Sequence, residues 1–226
     1  MECRPPSDYL SSAEASKLGK WAESVIARRY LAYRGRTTWY PQGFEDFRDP
    51  DAGITNWALC IAFINFHNPW FFASGGTKKL LEHVGFGLVK VPDLMTHSPA
   101  ESQSPGSTRE YYEIKPNSAD GLRKGWEKLT NLSALCTSLR LPYLPGVRWT
   151  PDEHVTIARL SPFLRFSLHY KLIGPGLVVY EVCTEDPLGE FEAALLAALL
   201  AVLLAILLRG LRLPPLRGPL IGPQTA

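Results

Sequence analysis

The spacing of apolar and polar residues along the chain predicts a domain that combines helices with a sheet. Residues 11–35 and 121–139 have helical spacing, whereas apolar and polar residues alternate over 109–116. A short apolar run at 86–91 and further strand-like runs between 155 and 182 extend the pattern. The main elements are therefore predicted in the order helix, strand, strand, helix, with later strands completing the sheet of an α/β fold.

The strand predicted at 109–116 carries an acid and a base on the same face. Side chains alternate along a strand, so Glu113 and Lys115 project together while their neighbours fill the opposite face. Asp93 follows the strand predicted at 86–91 and brings a second carboxylate if the two strands pair. Two carboxylates with open coordination positions are typical of a Mg²⁺ site that acts on a phosphodiester.

The first predicted helix supplies a third candidate acid. Ser11 and Glu14 have the spacing of a capping box, and Gly35 is a typical C-terminal stop. Gly19 and Glu23 lie one turn apart on one flank of this helix, so the bare glycine leaves room for the Glu23 carboxylate to reach toward the sheet. Glu23 is therefore a candidate metal ligand.

These residues, in this order, resemble the motifs of the PD-(D/E)xK nuclease superfamily, which includes many restriction enzymes, Holliday-junction resolvases and nuclease toxins. Asp93, which follows a proline, matches the PD motif, and Glu113 and Lys115 match the (D/E)xK motif. Glu23 matches the acid of the family's first helix. The resemblance covers residues 9–140 and implies a restriction-endonuclease-like core, which is a mixed central sheet flanked by helices.

The resemblance also implies the chemistry of the site. It implies that Asp93, Glu113 and Glu23 bind one or two Mg²⁺ or Mn²⁺ ions. Lys115 would then orient the attacking water and help to deprotonate it, and the metal would stabilise the charge that develops on the phosphorus group. The expected substrate is DNA, and RNA is the less favoured alternative.

Basic residues that could contact the nucleic acid lie on the second predicted helix. Several branches of the superfamily have a Gln there, and this chain has Lys128 at the aligned position. Lys128 and Lys124 are the candidates for contact with phosphates, with solvation as the alternative for Lys128. The net charge is only +2 and the pI about 8.3, which excludes a dedicated DNA-binding module with a strong basic stripe.

The cysteines and the nearest histidine add no second site to this prediction. Cys3, Cys60, Cys136 and Cys183 are widely spaced, form no C-x-x-C pair and lie mostly in apolar runs. They are predicted to be reduced core thiols, with no zinc site and no disulfide framework. His97 is either a proton carrier near the acids or a core histidine, and the second alternative is favoured.

The C-terminal part of the chain differs in character from the rest. Residues 193–208 are all apolar and uncharged, with an alanine at every fourth position. A helix that is apolar all round must be buried in protein or lipid. Its length of about 24 Å is short of the roughly 30 Å hydrocarbon core, and the arginines that follow it disfavour a simple tail anchor. A membrane, a partner protein and the domain's own core remain the alternatives.

The chain is therefore divided into a nuclease domain at 1–189, a hydrophobic helix at 190–210 and a Pro/Gly-rich tail at 211–226. The first ten residues lack the apolar stretch of a signal peptide. The expected site of action is the cytoplasm, with secretion, delivery into a target cell or membrane association as alternatives for how the protein arrives there.

The sequence thus predicts a Mg²⁺-dependent deoxyribonuclease, and its hydrophobic helix favours a bacterial effector or toxin over a DNA-repair or resolvase nuclease. Residues 190–210 would then contact a membrane, an immunity protein, a chaperone, a delivery apparatus or a second copy of the chain. The alternative from another class is a membrane-associated interaction protein with an inactive nuclease-like fold. Carboxylates more than about 6 Å apart cannot share one metal, so their separation distinguishes the two.

Overall fold

The computed structural model describes residues 1–34, 38–39, 53–85, 91–97, 109–159, 165–185, 200–201 and 204. Within these residues the helices are α1 (Ser12–Arg34), α2 (Gly53–His67), α3 (Pro69–Ala73), α4 (Gly76–Gly85) and α5 (Ala119–Ser138). The strands are β1 (Glu2–Arg4), β2 (Thr38–Trp39), β3 (Leu94–Thr96), β4 (Glu110–Pro116), β5 (Leu144–Pro145), β6 (Asp152–Arg159), β7 (Arg165–Gly174) and β8 (Leu177–Glu185). The chain is thus α/β, as the sequence predicted.

The strands form one mixed, curled sheet in the order β2-β3-β4-β8-β7-β6, with β1 on the free part of β8 and β5 on β4. β4 runs parallel to β8 and to β5, and the other pairings are antiparallel. β7 and β8 form a hairpin whose turn places Gly176 at φ 75°, a left-handed conformation that glycine adopts without strain. The sequence predicted two strand-like runs between residues 155 and 182, which correspond to β6 and β8. The structure adds β7 between them.

Helices cover both faces of this sheet. On one face α1 packs Ala22, Ile26 and Tyr30 against Tyr112 and Ile114 of β4. On the opposite face α5 packs with α2, α4 and the alternate residues of β4, β3 and β8. The alternation along β4 therefore gives each face its own core, and it leaves Glu113 and Lys115 on the side of α5.

Local end contacts explain why the two long helices begin where they do. Ser11 donates to Glu14 from its backbone nitrogen at 3.1 Å and from its hydroxyl at 2.7 Å, which confirms the predicted start of α1. Ser118 caps α5, and its hydroxyl accepts a hydrogen bond from the Gly121 nitrogen at 3.1 Å. These caps fix the direction of the helices that supply Glu23 and Lys128.

Asp93 lies directly before a strand, whereas the sequence placed it at the end of one. Its strand is β3, whose first residue, Leu94, pairs with Tyr112 of β4. The strand predicted at 86–91 lies outside the described residues except for Val91, which precedes β3. Because β3 and β4 are antiparallel, the residue before Leu94 still lies beside the residue after Tyr112, which is Glu113.

The prediction of four reduced cysteines is wrong for two of them. Cys3 and Cys183 form a disulfide, whereas Cys60 and Cys136 are free and buried. The reason is the pairing of β1 with β8, which sets Cys3 directly opposite Cys183 across the ladder. A contact between residues 180 positions apart leaves no trace in local spacing.

Two leucines of the hydrophobic C-terminal run are buried against the domain. Leu200 and Leu204 belong to a cluster with Leu10, Leu18 and Phe166. Apart from Ala201, which packs partly buried against the same cluster, the rest of the helix predicted at 190–210 and the whole of the tail lie outside the described residues. No helix among the residues described is both long and apolar enough to cross a bilayer.

Candidate active site

The candidate site lies at an edge of β4 that its neighbour leaves open. β3 pairs with β4 only through Glu110, Tyr111 and Tyr112. Beyond Tyr112 a side chain replaces the strand as hydrogen-bond partner of β4: Asp93 Oδ2 accepts a hydrogen bond from the backbone nitrogen of Ile114 at 2.8 Å. The carboxylate of Asp93 is thereby fixed where the two strands diverge.

Asp93, Glu113 and Lys115 converge at this edge, as predicted. The Lys115 ammonium lies 3.5 Å from Asp93 Oδ2 and contacts Glu113 Oε1 directly. Glu113 has no exposed side-chain surface, and the side chains of Asp93 and Lys115 are largely buried. An acid and a base two residues apart on one strand therefore meet a second acid from the adjoining strand.

Lys128 enters the same cluster from α5. Its ammonium nitrogen lies 3.1 Å from Asp93 Oδ1 and 2.5 Å from Glu113 Oε2. The side chain is 12% exposed, so Lys128 is a buried member of the site, and the alternative of a solvated lysine is wrong. Each oxygen of Glu113 thus faces a different ammonium group.

Gly125 lets α5 approach the sheet closely enough for this contact. A Cβ at Gly125 would lie 2.7 Å from Leu177 Cδ1 and 3.3 Å from Lys115 Cγ. With a larger residue at this position, either the side chain of Leu177 would have to shift or α5 would have to move away from the sheet. Lys128, one turn further along α5, depends on this close approach to reach the carboxylates.

Glu23 lies on α1, on the other face of the sheet, and is influenced by the charges of the cluster. Burial raises the pKa of Glu23 to about 8, and the negative charges of Asp93 and Glu113 add to the increase while Lys115 and Lys128 oppose it. The carboxyl of Glu23 is thus within the range of the charges of these four residues. Glu23 stays a candidate third acid of the site.

The environment separates the acids by their pKa. Burial and the charge of Asp93 raise the pKa of Glu113 to about 7, against the influence of Lys128 and Lys115. Burial also acts to raise the pKa of Asp93, but Lys128 and Lys115 outweigh it and lower that pKa below its usual range. Asp93 is thus ionised throughout the physiological range, whereas Glu113 and Glu23 change charge near neutral pH.

Tyr180 of β8 is a site residue that sequence reasoning missed. A Cβ at Gly19 would lie 2.9 Å from the Tyr180 hydroxyl, so the bare position on α1 accommodates the tyrosine, where the sequence assigned the space to Glu23. Burial raises the pKa of Tyr180, and the charge of Glu23 raises it further. The three strand residues before Tyr180 are apolar and give no sign of a site, and the pairing of Pro116 with Tyr180 brings the tyrosine there.

Two other candidates lie elsewhere. Lys124 is exposed on α5, with its ammonium 2.7 Å from Asp120 Oδ2, one turn back on the helix. His97 is buried, stacks on His67 and hydrogen-bonds through Nδ1 to the Tyr143 hydroxyl at 3.0 Å. Burial lowers the pKa of His97 to about 4, with a smaller effect from a nearby arginine, so it is a neutral core histidine.

The donor atoms suit a hard divalent cation. Both Glu113 oxygens are buried and accept no hydrogen bond of normal geometry from any described residue. One nitrogen, that of Lys128, contacts oxygens of both Asp93 and Glu113, so these oxygens lie less than about 6 Å apart. Carboxylate oxygens such as those of Asp93 and Glu113 are of the type that Mg²⁺ and Mn²⁺ prefer.

Comparison with known proteins gives no relative from which to assign this site. No family model matches the chain. No curated protein and no solved structure matches it either. The function of this site therefore has to be inferred from the geometry of its own residues.

Proposed function

We propose that this protein is a metal-dependent nuclease of the PD-(D/E)xK type that hydrolyses DNA phosphodiesters. The observation that supports it is the convergence of Asp93, Glu113 and Lys115 at the open edge of β4, with Glu23 within the range of their charges. The ionisable groups in contact within this largely buried cluster are Asp93, Glu113, Lys115 and Lys128. Such a cluster is costly to maintain for stability alone, which favours a functional role.

In this proposal Asp93 and Glu113 hold Mg²⁺, with Glu23 in support. When bound, the metal polarises the phosphodiester and lowers the pKa of a coordinated water. The fixed contact between Asp93 and the backbone of Ile114 keeps one ligand in place before the metal arrives.

Lys115 positions the attacking water and stabilises charge on the phosphate. Burial acts to lower its pKa, but Asp93 and Glu113 outweigh burial and raise it, so the side chain is an ammonium group. It therefore acts as a hydrogen-bond donor fixed between two acids, and it acts as a base only when metal has neutralised those acids. Tyr180 adds a hydroxyl on the α1 side of the same edge.

Lys128 contacts the substrate in this proposal. Its ammonium is a compact point charge that can leave the carboxylates for a phosphate oxygen when metal binds. Lys124 is exposed and paired with Asp120, so it serves as a matched control on the same helix.

The position of Lys128 supports a second candidate function. A cation between Asp93 and Glu113 satisfies both carboxylates without any metal. In that case the protein is an interaction module with an inactive nuclease-like fold. The two candidates differ in whether Mg²⁺ displaces Lys128.

Plasmid cleavage in Mg²⁺ or EDTA, on wild type and on Lys115→Ala, tests the proposal. Wild type should nick or linearise the plasmid only with Mg²⁺, and Lys115→Ala should lose at least about a hundredfold in rate. Asp93→Asn and Glu113→Gln should be as inactive, since both remove a ligand charge while keeping side-chain shape. Lys124→Ala should retain activity. Cleavage that persists in Glu113→Gln would rule out this site.

A further inference from the structure

A second cluster of metal-ligating side chains lies away from the candidate active site. It consists of Cys3, His169, Glu181 and Cys183, which we call the Cys/His/Glu cluster. One ligand atom from each residue lies within 4.8 Å of the others. None of the four belongs to the group of acids and lysines at the edge of β4.

The strand register brings these side chains to one face. Cys3 of β1 is opposite Cys183 of β8, and His169 of β7 is opposite Glu181 of β8. Residues directly opposite in an antiparallel ladder point the same way, and Glu181 and Cys183 are two positions apart on one strand. Three adjacent strands therefore present four donor atoms to one point, held by backbone hydrogen bonds.

The chemistry of these donors differs from that of the candidate active site. Two thiolates, an imidazole and a carboxylate are the ligand types of tetrahedral Zn²⁺, whereas Mg²⁺ prefers oxygen alone. Zinc–ligand distances of about 2.0 to 2.3 Å place tetrahedral donors about 3.4 to 3.8 Å apart. The cluster is within roughly 1 Å of this size, but the bonded sulfurs of Cys3 and Cys183 must first separate.

Neighbouring residues hydrogen-bond to the imidazole and to the carboxylate of the cluster. His169 contacts Asp152 Oδ1 through Nε2 at 2.7 Å, which leaves Nδ1 beside Glu181 Oε1 at 2.8 Å. The other oxygen of Glu181 accepts a hydrogen bond from Asn117 Nδ2 at 2.9 Å. An outer carboxylate on one ring nitrogen and an amide on the ligating carboxylate orient metal ligands in proteins.

We propose that reduction of the Cys3–Cys183 disulfide converts the Cys/His/Glu cluster into a tetrahedral Zn²⁺ site. A dithiol reductant supplies two electrons and two protons: the disulfide becomes two thiols, and the dithiol becomes a cyclic disulfide. Zn²⁺ then displaces the two thiol protons and binds both sulfurs, His169 Nδ1 and Glu181 Oε1. The oxidised form holds the same strands together through the covalent bond instead.

This site gives β1 two alternative attachments to the sheet. β1 is a three-residue strand whose covalent link to β8 is the disulfide. When that bond is reduced, a shared metal replaces it as the cross-link between the two strands. The proposal does not depend on nuclease activity, because no ligand of the cluster is assigned a role there.

Metal titration of the full-length protein in two redox states tests the proposal. One sample keeps the disulfide, and the other is reduced anaerobically with a phosphine that is then removed. Zn²⁺ is titrated against a chromophoric chelator, and Co²⁺ serves as a spectroscopic probe. Reduced protein should bind one equivalent at least about a hundredfold more tightly than oxidised protein and should give the intense visible bands of tetrahedral thiolate-bound Co²⁺.

Variants distinguish this cluster from the other thiols. Glu181→Gln and the outer variant Asp152→Asn should each weaken Zn²⁺ binding by about 10- to 100-fold in reduced protein. Asp152 is exposed, so its variant should fold even if a ligand variant does not. The double variant Cys60→Ala/Cys136→Ala, which removes the two free thiols, should bind as wild type does. Equal affinity in the two redox states, or loss of binding in the double variant, would overturn the proposal.

Discussion

The ammonium nitrogen of Lys128 lies 2.5 Å from Glu113 Oε2, inside the group of acids at the edge of β4. Glu113 is fully buried, so water cannot solvate its carboxylate, and the positive charge of Lys128 compensates for that loss. In the proposed nuclease, a divalent metal at Glu113 Oε2 would compete with Lys128 for this oxygen. Its affinity would then depend on how easily this lysine moves.

Lys128→Gln should raise the affinity for Mg²⁺ in the absence of DNA by at least about tenfold, because it removes a competing positive charge at close range. The same variant should cleave DNA more slowly and reduce the salt dependence of DNA binding by about one phosphate contact. Calorimetry with Mg²⁺ and binding at several salt concentrations measure both effects. Unchanged Mg²⁺ affinity would show that Lys128 does not occupy the metal position.

Lys115→Arg should be nearly as inactive as Lys115→Ala in plasmid cleavage. Arginine keeps the positive charge, but its planar guanidinium is bulkier and cannot replace a compact ammonium between Asp93 and Glu113. Initial rates with saturating Mg²⁺ and an unfolding curve for each variant separate loss of chemistry from loss of fold. Substantial activity in the arginine variant would limit Lys115 to contact with a phosphate.

The local parts of this structure are the parts that the sequence predicted well. A capping box and spacing indicated α1, spacing indicated α5, and alternation along β4 put Glu113 and Lys115 on one face. These features depend on neighbours within a few residues, which is why a single sequence reveals them.

Contacts that depend on strand order were not predicted. Tyr180 reaches the site because β8 lies parallel to β4, and Cys3 meets Cys183 because β1 lies against β8. Both facts follow from how distant segments pair, and a local pattern does not encode that pairing. The role of Lys128 was left open for the same reason, since its distance from Glu113 is set by the packing of α5 on the sheet.

Metal affinity should rise with pH across the neutral range. Glu113 and Glu23 have pKa values of about 7 and about 8 in the metal-free fold, so both are largely protonated at pH 6. Because Mg²⁺ binds the ionised carboxylates and two protons must leave, its affinity should increase by more than about tenfold per pH unit between pH 6 and pH 8, and by up to about a hundredfold near pH 6. Glu23→Gln should make this dependence shallower.

The stability of the metal-free protein should change in the opposite direction. The folded pKa of Glu23 and of Glu113 is above the usual value of 4.5, so the folded state keeps protons that the unfolded chain loses. This contribution to stability is complete below pH 4.5 and is lost as pH rises through 7 and 8. Melting temperatures of wild type should therefore fall relative to Glu23→Gln over this window. A constant difference between the two would contradict the assigned pKa shifts.

The C-terminal leucines provide a test of what covers the hydrophobic run. Leu200 and Leu204 are buried with Leu18 and Phe166, so truncation of either side chain should leave a cavity. Leu200→Ala and Leu204→Ala should each reduce the free energy of unfolding by about 2 to 4 kcal/mol, measured in denaturant. Leu81→Ala is the control, because Leu81 lies on α4 and is half exposed. It should change the free energy of unfolding by less than about 1 kcal/mol.

The membrane and partner alternatives for residues 190–210 predict a different result from the same variants. If lipid or another protein covers these leucines, their truncation should leave the unfolding curve of the isolated protein unchanged and weaken vesicle binding or assembly instead. Deletion of residues 190–226 extends the comparison. Because Leu200 and Leu204 pack on α1 and β7, we expect the deletion to lower the cooperativity of unfolding together with nuclease activity, and a stable, active truncated protein would exclude packing of this run on the domain.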